Sequence, residues 1–312
     1  MKHKKTYTEE YININGIKQY FLHYPSSQKG VAIFLHGGPG SPTSTFAYNL
    51  MEHWDFCSVV YYDQRGTGKT LKMNKTKSSD LTIETMLADL KETVEYVKSK
   101  YQTDKVVLLG QSWGSVLGTQ YVLRYPEDVA CYIGNGQVVN MRKGFDIAFD
   151  ELKETLERKG AVKDLAKLTS LGNFSNIASK DLNSHLEKFQ RIQSKHNRSV
   201  NIPELLKIGF KSPVTRISDF YYFLKSPKLT EMFWADYLAD YSILDINDYK
   251  IPVYYVLGRN DWQVPSTFAA EYFEKINAPQ KGLYWIENAG HATDVDNPRD
   301  FSAAVRKIVS EL

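Results

Sequence analysis

Ser112 sits in Gly110-Gln111-Ser112-Trp113-Gly114, a G-x-S-x-G. An apolar strand pattern, KVVLL, precedes it, and a helical pattern, SVLGTQYVLRYP, follows. In that strand–turn–helix setting the glycines permit a tight turn, and the serine hydroxyl projects beyond the end of the strand. A serine hydroxyl is a weak nucleophile at neutral pH and needs a base beside it. His291, in ENAGHATDVDNP, is the only histidine in the C-terminal third. An acid must then orient the imidazole and stabilise its charged form. Asp261, in VYYVLGRND, falls at the end of the preceding strand pattern. Asp294 and Asp296 are rivals, but they follow the histidine, against the chain order serine, acid, histidine. The chemistry these residues imply is acyl transfer. Its tetrahedral intermediate needs two amide donors. One is Trp113, next to the nucleophile; the other belongs to His36-Gly37-Gly38-Pro39-Gly40, with Gly38 the first choice and Gly37 the second, because Pro39 has no N–H. His36 reads as a brace for this loop rather than a catalyst.

A competing chemistry is written in YYDQRGTGKT, where a strand pattern runs into Gly68-Lys69-Thr70. A phosphate-binding loop would need a glycine at position 63 and a helix opening at GKT. Position 63 is Asp63, whose charge repels phosphate, and the following LKMNKTKSSD has poor helical periodicity. Nucleotide binding is therefore set aside.

Elements to carry these groups recur along the chain. Asn15-Gly16 between two β-rich runs predicts a hairpin. VAIFL, SVVYY, KVVLL and VYYVL are short continuous apolar runs, as in strands buried on both faces of a parallel sheet. GLYWIEN also reads as a strand. Ile83, Met86, Leu87, Leu90, Val94 and Val97 recur at steps of three and four, so a helix is expected there, capped by Thr82. Residues 113–125 and 298–311 also read as helices. The alternation predicts an α/β fold with a mostly parallel central sheet flanked by helices. It lapses over 139–245, which is helical, lysine-rich and then aromatic. The expected organisation is one α/β core, residues 1–138 and 246–312, with a helical insertion at 139–245.

Bulk properties narrow the function. A net charge of +3 over 312 residues gives no reason to invoke nucleic acid or an anionic membrane. No apolar run reaches the roughly 18 residues of a membrane helix, and MKHKKTYTEEY is no signal core, so a cytoplasmic location is expected. Cys57 and Cys131 lie in apolar surroundings and read as buried thiols. The histidines show no metal-ligand spacing.

HGGPG at 36–40, DQRGTG at 63–68, GQSWGS at 110–115, GRND at 258–261 and AGH at 289–291 together resemble the prolyl aminopeptidase (proline iminopeptidase) family of α/β-hydrolase-fold serine peptidases. The resemblance implies an α/β-hydrolase core under a helical cap. It implies release of an N-terminal residue, usually proline, from short peptides, without metal or cofactor. It makes Asp63 and Arg65 loop braces. It also implies cap carboxylates that hold the substrate's ammonium group, for which Glu204 and Glu231 are the candidates. The tryptophan-rich W-x-x-W-E element of some members is absent, and Trp262 stands where others carry a glutamate. The aromatic residues Tyr221, Tyr222, Phe223, Phe233, Trp234 and Tyr237 either line an apolar pocket or pack cap on core. A carboxylesterase or amidase acting on small apolar esters or amides is the first alternative. A non-catalytic hydrolase-fold ligand-binding protein is the alternative from another class.

Overall fold

A computed structural model describes residues 6–28, 30–196 and 202–312, with side chains at all of them except 202–204 and 234. The strands are β1 (Thr8–Ile14), β2 (Ile17–Tyr24), β3 (Val31–Leu35), β4 (Ser58–Asp63), β5 (Val106–Gln111), β6 (Val129–Asn135), β7 (Val253–Gly258) and β8 (Lys281–Ile286). They form one sheet in the order β1-β2-β4-β3-β5-β6-β7-β8. β1 and β2 pair antiparallel through the Asn15-Gly16 turn, where both residues have positive φ (43° and 78°), as a type I′ hairpin requires. β2 meets β4 antiparallel, and the pairs from β4 to β8 are parallel.

Helices α1 (Ala47–Met51), α2 (Gly68–Met73), α3 (Ile83–Tyr101) and α4 (Trp113–Arg124) intervene between the early strands. Thr82 caps α3 by accepting from the Thr85 amide at 3.1 Å. Between β6 and β7 come α5 (Met141–Arg158), α6 (Val162–Leu171), α7 (Leu182–Lys195), α8 (Ile202–Lys211), α9 (Ile217–Leu229) and α10 (Glu231–Asp236). The chain ends with α11 (Ser266–Lys275), α12 (Thr293–Asp296) and α13 (Pro298–Ser310). Among the described residues no helix is long and apolar enough to cross a membrane.

The period of two along each central strand splits the core into two layers. Ile33, Leu35, Val60 and Leu108 pack with Leu90 and Val94 of α3 and Val116 and Leu117 of α4. Phe34, Val59, Leu109 and Ile133 pack with Leu50 of α1 and Phe301 and Val305 of α13. Cys57 and Cys131 are buried thiols outside any disulfide, as their surroundings suggest.

Two elements depart from expectation. β6 was not predicted, because VACYIGN mixes alanine, cysteine and glycine with few β-branched residues. A short helix, α2, does open at Gly68, against the reading that none would. The anion at its start is the protein's own. Asp63 Oδ2 accepts the Lys69 amide at 2.7 Å, and a β-carbon at Gly68 would lie 2.3 Å from that oxygen.

The helical stretch between β6 and β7 leaves and returns at one place. Ile243 N donates to Val139 O at 2.8 Å, Met141 N donates to Tyr241 O at 3.1 Å, and Asn140 bridges Ser242.

Candidate active site

The turn at Ser112 is forced by close approach of backbones. Ser112 has φ 53° and ψ −118°, a conformation costly for a residue with a side chain. A β-carbon at Gly114 would lie 2.0 Å from Leu35 O, and one at Gly110 would lie 2.4 Å from Gly114 O. Only glycine lets α4 start this close to β3 and β5. Ser112 is half-buried at the mouth of the turn, at the N-terminus of the twelve-residue α4. The positive end of the helix dipole is there, and the Trp113 amide, first in the helix, has no acceptor one turn back.

The HGGPG loop lies directly against this turn. A β-carbon at Gly37 would sit 3.3 Å from Ser112 Cβ, and Gly38 has φ 114°. The loop is braced from below by His36, which is fully buried. Its Nδ1 donates to Gly37 O at 2.9 Å, and its Nε2 accepts from the Gln64 amide at 3.1 Å. Burial pushes the His36 ring down to about 4, so it is neutral, as that pairing needs. Gln64 continues the brace by accepting from Trp113 Nε1 at 2.8 Å. Asp63 accepts from Ser44 Oγ at 2.6 Å, and Arg65 forks onto Asp89 with two 2.8 Å bonds. These charges hold loops, as the resemblance implies.

Asp261 lies three residues past β7 and is buried. Its Oδ1 accepts the amides of Gln263 and Val264 at 3.0 Å each, which fixes the carboxylate. Its Oδ2 meets His291 Nδ1 at 2.9 Å. Burial works to lower the His291 pKa, but the charge of Asp261 and its hydrogen bond, helped by Asp294 and Asp296, outweigh it, so the imidazole lies above 6.5. Neither rival acid takes the place of Asp261. Asp296 Oδ2 accepts the Gly290 amide at 2.8 Å, and Asp294 is buried, which pushes its carboxyl up to about 7.

Two residues that sequence reading missed join the halves of the site. Asn135 O accepts the Ser112 amide at 2.9 Å, and a β-carbon at Gly136 would lie 3.1 Å from His291 Cε1. An Asn-Gly pair closing a short apolar run was the available signal.

The helices between β6 and β7 reach the same place. Phe233 packs edge-on against Trp113 with ring centroids 5.1 Å apart, and stacks on Tyr237 at 5.5 Å. Thr230 Oγ1 donates to Pro39 O at 3.0 Å, and Gln193 Nε2 donates to Trp262 O at 3.1 Å. Phe223 meets Phe46 and helps line a separate cavity with Leu205, Leu206 and Phe220, whereas Tyr221 is exposed and Tyr222 faces Lys72. Glu231 opens α10 and is exposed, one residue after the Thr230 contact. The side chains of Glu204 and Trp234 lie outside those described.

The arrangement is thus a half-buried serine on a strained elbow, a glycine loop packed against it, and a fixed carboxylate–imidazole pair across Asn135-Gly136. The family model described as alpha/beta hydrolase fold matches residues 31–298. The chain belongs to the α/β-hydrolase fold family. Among α/β hydrolases and related proteins, it is 23% identical over 305 residues to a Bacillus subtilis protein named probable aminopeptidase YbaC, covering 95% of this chain and 91% of that one. It is 25% identical over 320 residues to a proline iminopeptidase of Heyndrickxia coagulans, covering 98% of this chain and all (100%) of that one. The structure of a Mycobacterium smegmatis proline iminopeptidase superposes with a TM-score of 0.68 at 18% identity, over 97% of this chain and 98% of that one. The resemblance carried by the five motifs therefore holds along almost the whole chain.

Proposed function

We propose that this α/β hydrolase is a serine aminopeptidase that releases an N-terminal residue, with proline the leading choice, from short peptides. The reading is supported by the strained Ser112 elbow and by a His291–Asp261 pair joined at 2.9 Å, with Asn135-Gly136 in contact with both. Similarity to proteins named aminopeptidase and proline iminopeptidase, end to end, supplies the substrate class.

Ser112 Oγ attacks the carbonyl carbon of the first residue, and His291 Nε2 takes the hydroxyl proton. The carbonyl electrons move to oxygen, which is held by the amides of Gly38 and Trp113. Collapse breaks the C–N bond, and the imidazolium gives its proton to the departing amine. Water, activated by the same imidazole, then hydrolyses the acyl-enzyme. The substrate's free ammonium group needs a carboxylate once it is buried. Glu231 and Glu204 are the candidates, from α10 and α8, helices of the expected cap at 139–245.

The test compares a proline arylamide, its N-acetylated form and a short-chain aryl ester. Strong preference for the free amine is expected. Turnover of the ester alone would sink the aminopeptidase reading and leave an esterase.

The base also sets a pH profile. Because the His291 pKa is raised, the charged imidazole persists above the ordinary 6.5. The kcat/KM of the free enzyme should fall as pH drops through that raised value, with the midpoint of the acid limb above 6.5. A flat profile from pH 5 to 8, with chemistry rate-limiting, would remove His291 from the role of base.

A further inference from the structure

We infer that Asn135 is a positioning residue that sets the separation between Ser112 and His291, an inference that rests on the reading of these two as nucleophile and base. Asn135 is the last residue of β6, between the strand that delivers Ser112 and the strand that leads to Asp261. It is completely buried, and it holds both sides of the site. Its main-chain oxygen accepts the Ser112 amide at 2.9 Å. Its side-chain Oδ1 accepts Thr293 Oγ1 at 2.6 Å, two residues beyond His291. Thr293 is itself buried, so this bond is shielded from water.

Gly136 completes the device. It takes φ +56°, and a β-carbon there would lie 3.1 Å from His291 Cε1, 3.2 Å from His291 Nδ1 and 3.3 Å from Asp261 Oδ2. The imidazole thus rests against bare backbone whose position the preceding residue fixes. A buried asparagine needs hydrogen-bond partners wherever it is. That need does not account for the coincidence of a main-chain bond to the nucleophile's own amide and a side-chain bond to the loop bearing the base on one residue. One rigid residue tying both loops keeps the nucleophile–base geometry independent of loop motion, and errors of about 1 Å in such geometry cost on the order of 100-fold in rate.

The experiment uses the full chain with Asn135→Ala, Thr293→Val, Thr293→Ser and the Asn135→Ala/Thr293→Val double variant. Labelling of Ser112 by a fluorophosphonate, kcat and KM on the cleaved substrate, and the acid limb of the pH profile are measured for each. Asn135→Ala and Thr293→Val are each expected to lose about 10- to 100-fold in labelling rate and kcat, with KM within about twofold. The double variant should be no worse than the worse single, because one bond is broken in all three. Thr293→Ser keeps the hydroxyl and should restore most of the rate. The acid limb should move in Thr293→Val and return in Thr293→Ser. Wild-type kcat in Thr293→Val, strictly multiplicative losses in the double variant, or equal losses in Thr293→Ser and Thr293→Val would each overturn the proposal. Should Asn135→Ala fail to fold, the Thr293 pair decides alone. A wild-type chain that the fluorophosphonate does not label would overturn the underlying reading of Ser112, a result distinct from failure of the strut.

Discussion

Replacing Ser112 by alanine is expected to lower kcat on a free-amine proline arylamide by a factor on the order of 10⁵, with KM changed only a few-fold. The alanine removes the attacking oxygen and leaves the rest of the site in place. A residual rate above the uncatalysed one would come from the Gly38 and Trp113 amides and from binding. The variant also separates chemistry from strain. Ser112 has φ 53°, and alanine inherits that conformation with its β-carbon. Ser112→Gly loses the same oxygen but accepts positive φ freely, and should melt higher than Ser112→Ala by about 1 kcal/mol of stability. Steady-state assays and thermal melts of the two variants check both halves. Substantial turnover by Ser112→Ala would mean that another group performs the attack. Equal melting of the two would mean that the elbow stores no strain.

The second large effect concerns folding. Gly114→Ala should destabilise the chain by about 4 kcal/mol or more, a cost seen when a side chain is driven into backbone. The new methyl would stand 2.0 Å from Leu35 O and 3.0 Å from His36 O; Leu35 is fixed in the β3–β5 ladder, and His36 O accepts from Gln64 Nε2 at 3.2 Å, so neither carbonyl is free to retreat. Gly160→Ala is the matched comparison. Gly160 also has a positive φ, 62°, but nothing lies within 4 Å of its added β-carbon. Its cost should be only the backbone term, about 1 kcal/mol. Chemical denaturation of both variants checks the contrast. Similar losses would show that conformation, not close approach, explains the glycine at 114.

The elbow and the carboxylate–imidazole pair of the candidate site were legible in the sequence because local geometry constrains them. A glycine on each side of Ser112, an aspartate just past a strand and a histidine just past the next strand are constraints confined to a few residues. The hairpin, α3 and strands β3, β4, β5 and β7 were legible for the same reason, since period and turn chemistry are local. What escaped is held by tertiary contact. Asn135 is distinguished only by what lies across from it, at the end of a strand with a weak β signal. α2 opens where Asp63 accepts the Lys69 amide and Ser226 the Gly68 amide, and no period announces it. α9 goes further and inverts the usual rule. Asp219 and Ser226 are buried, while Ile217, Tyr221 and Leu224 face outward, 86%, 61% and 77% exposed. Its inner polar groups answer Lys72, Lys69 and the Gly68 amide on α2, an accommodation no apolar period could report.

The paired crossing at Val139–Met141 and Tyr241–Ile243 has an evolutionary consequence. A polypeptide that exits and re-enters a domain through one hydrogen-bonded doorway asks little of its host. The ends are already held together, and the entropy of closing a longer excursion grows only with the logarithm of its length. The stretch between could therefore be lengthened, shortened or exchanged wholesale while the sheet below stayed in register. Lineages sharing one hydrolytic engine could then diverge in diet by trading what is mounted on that doorway.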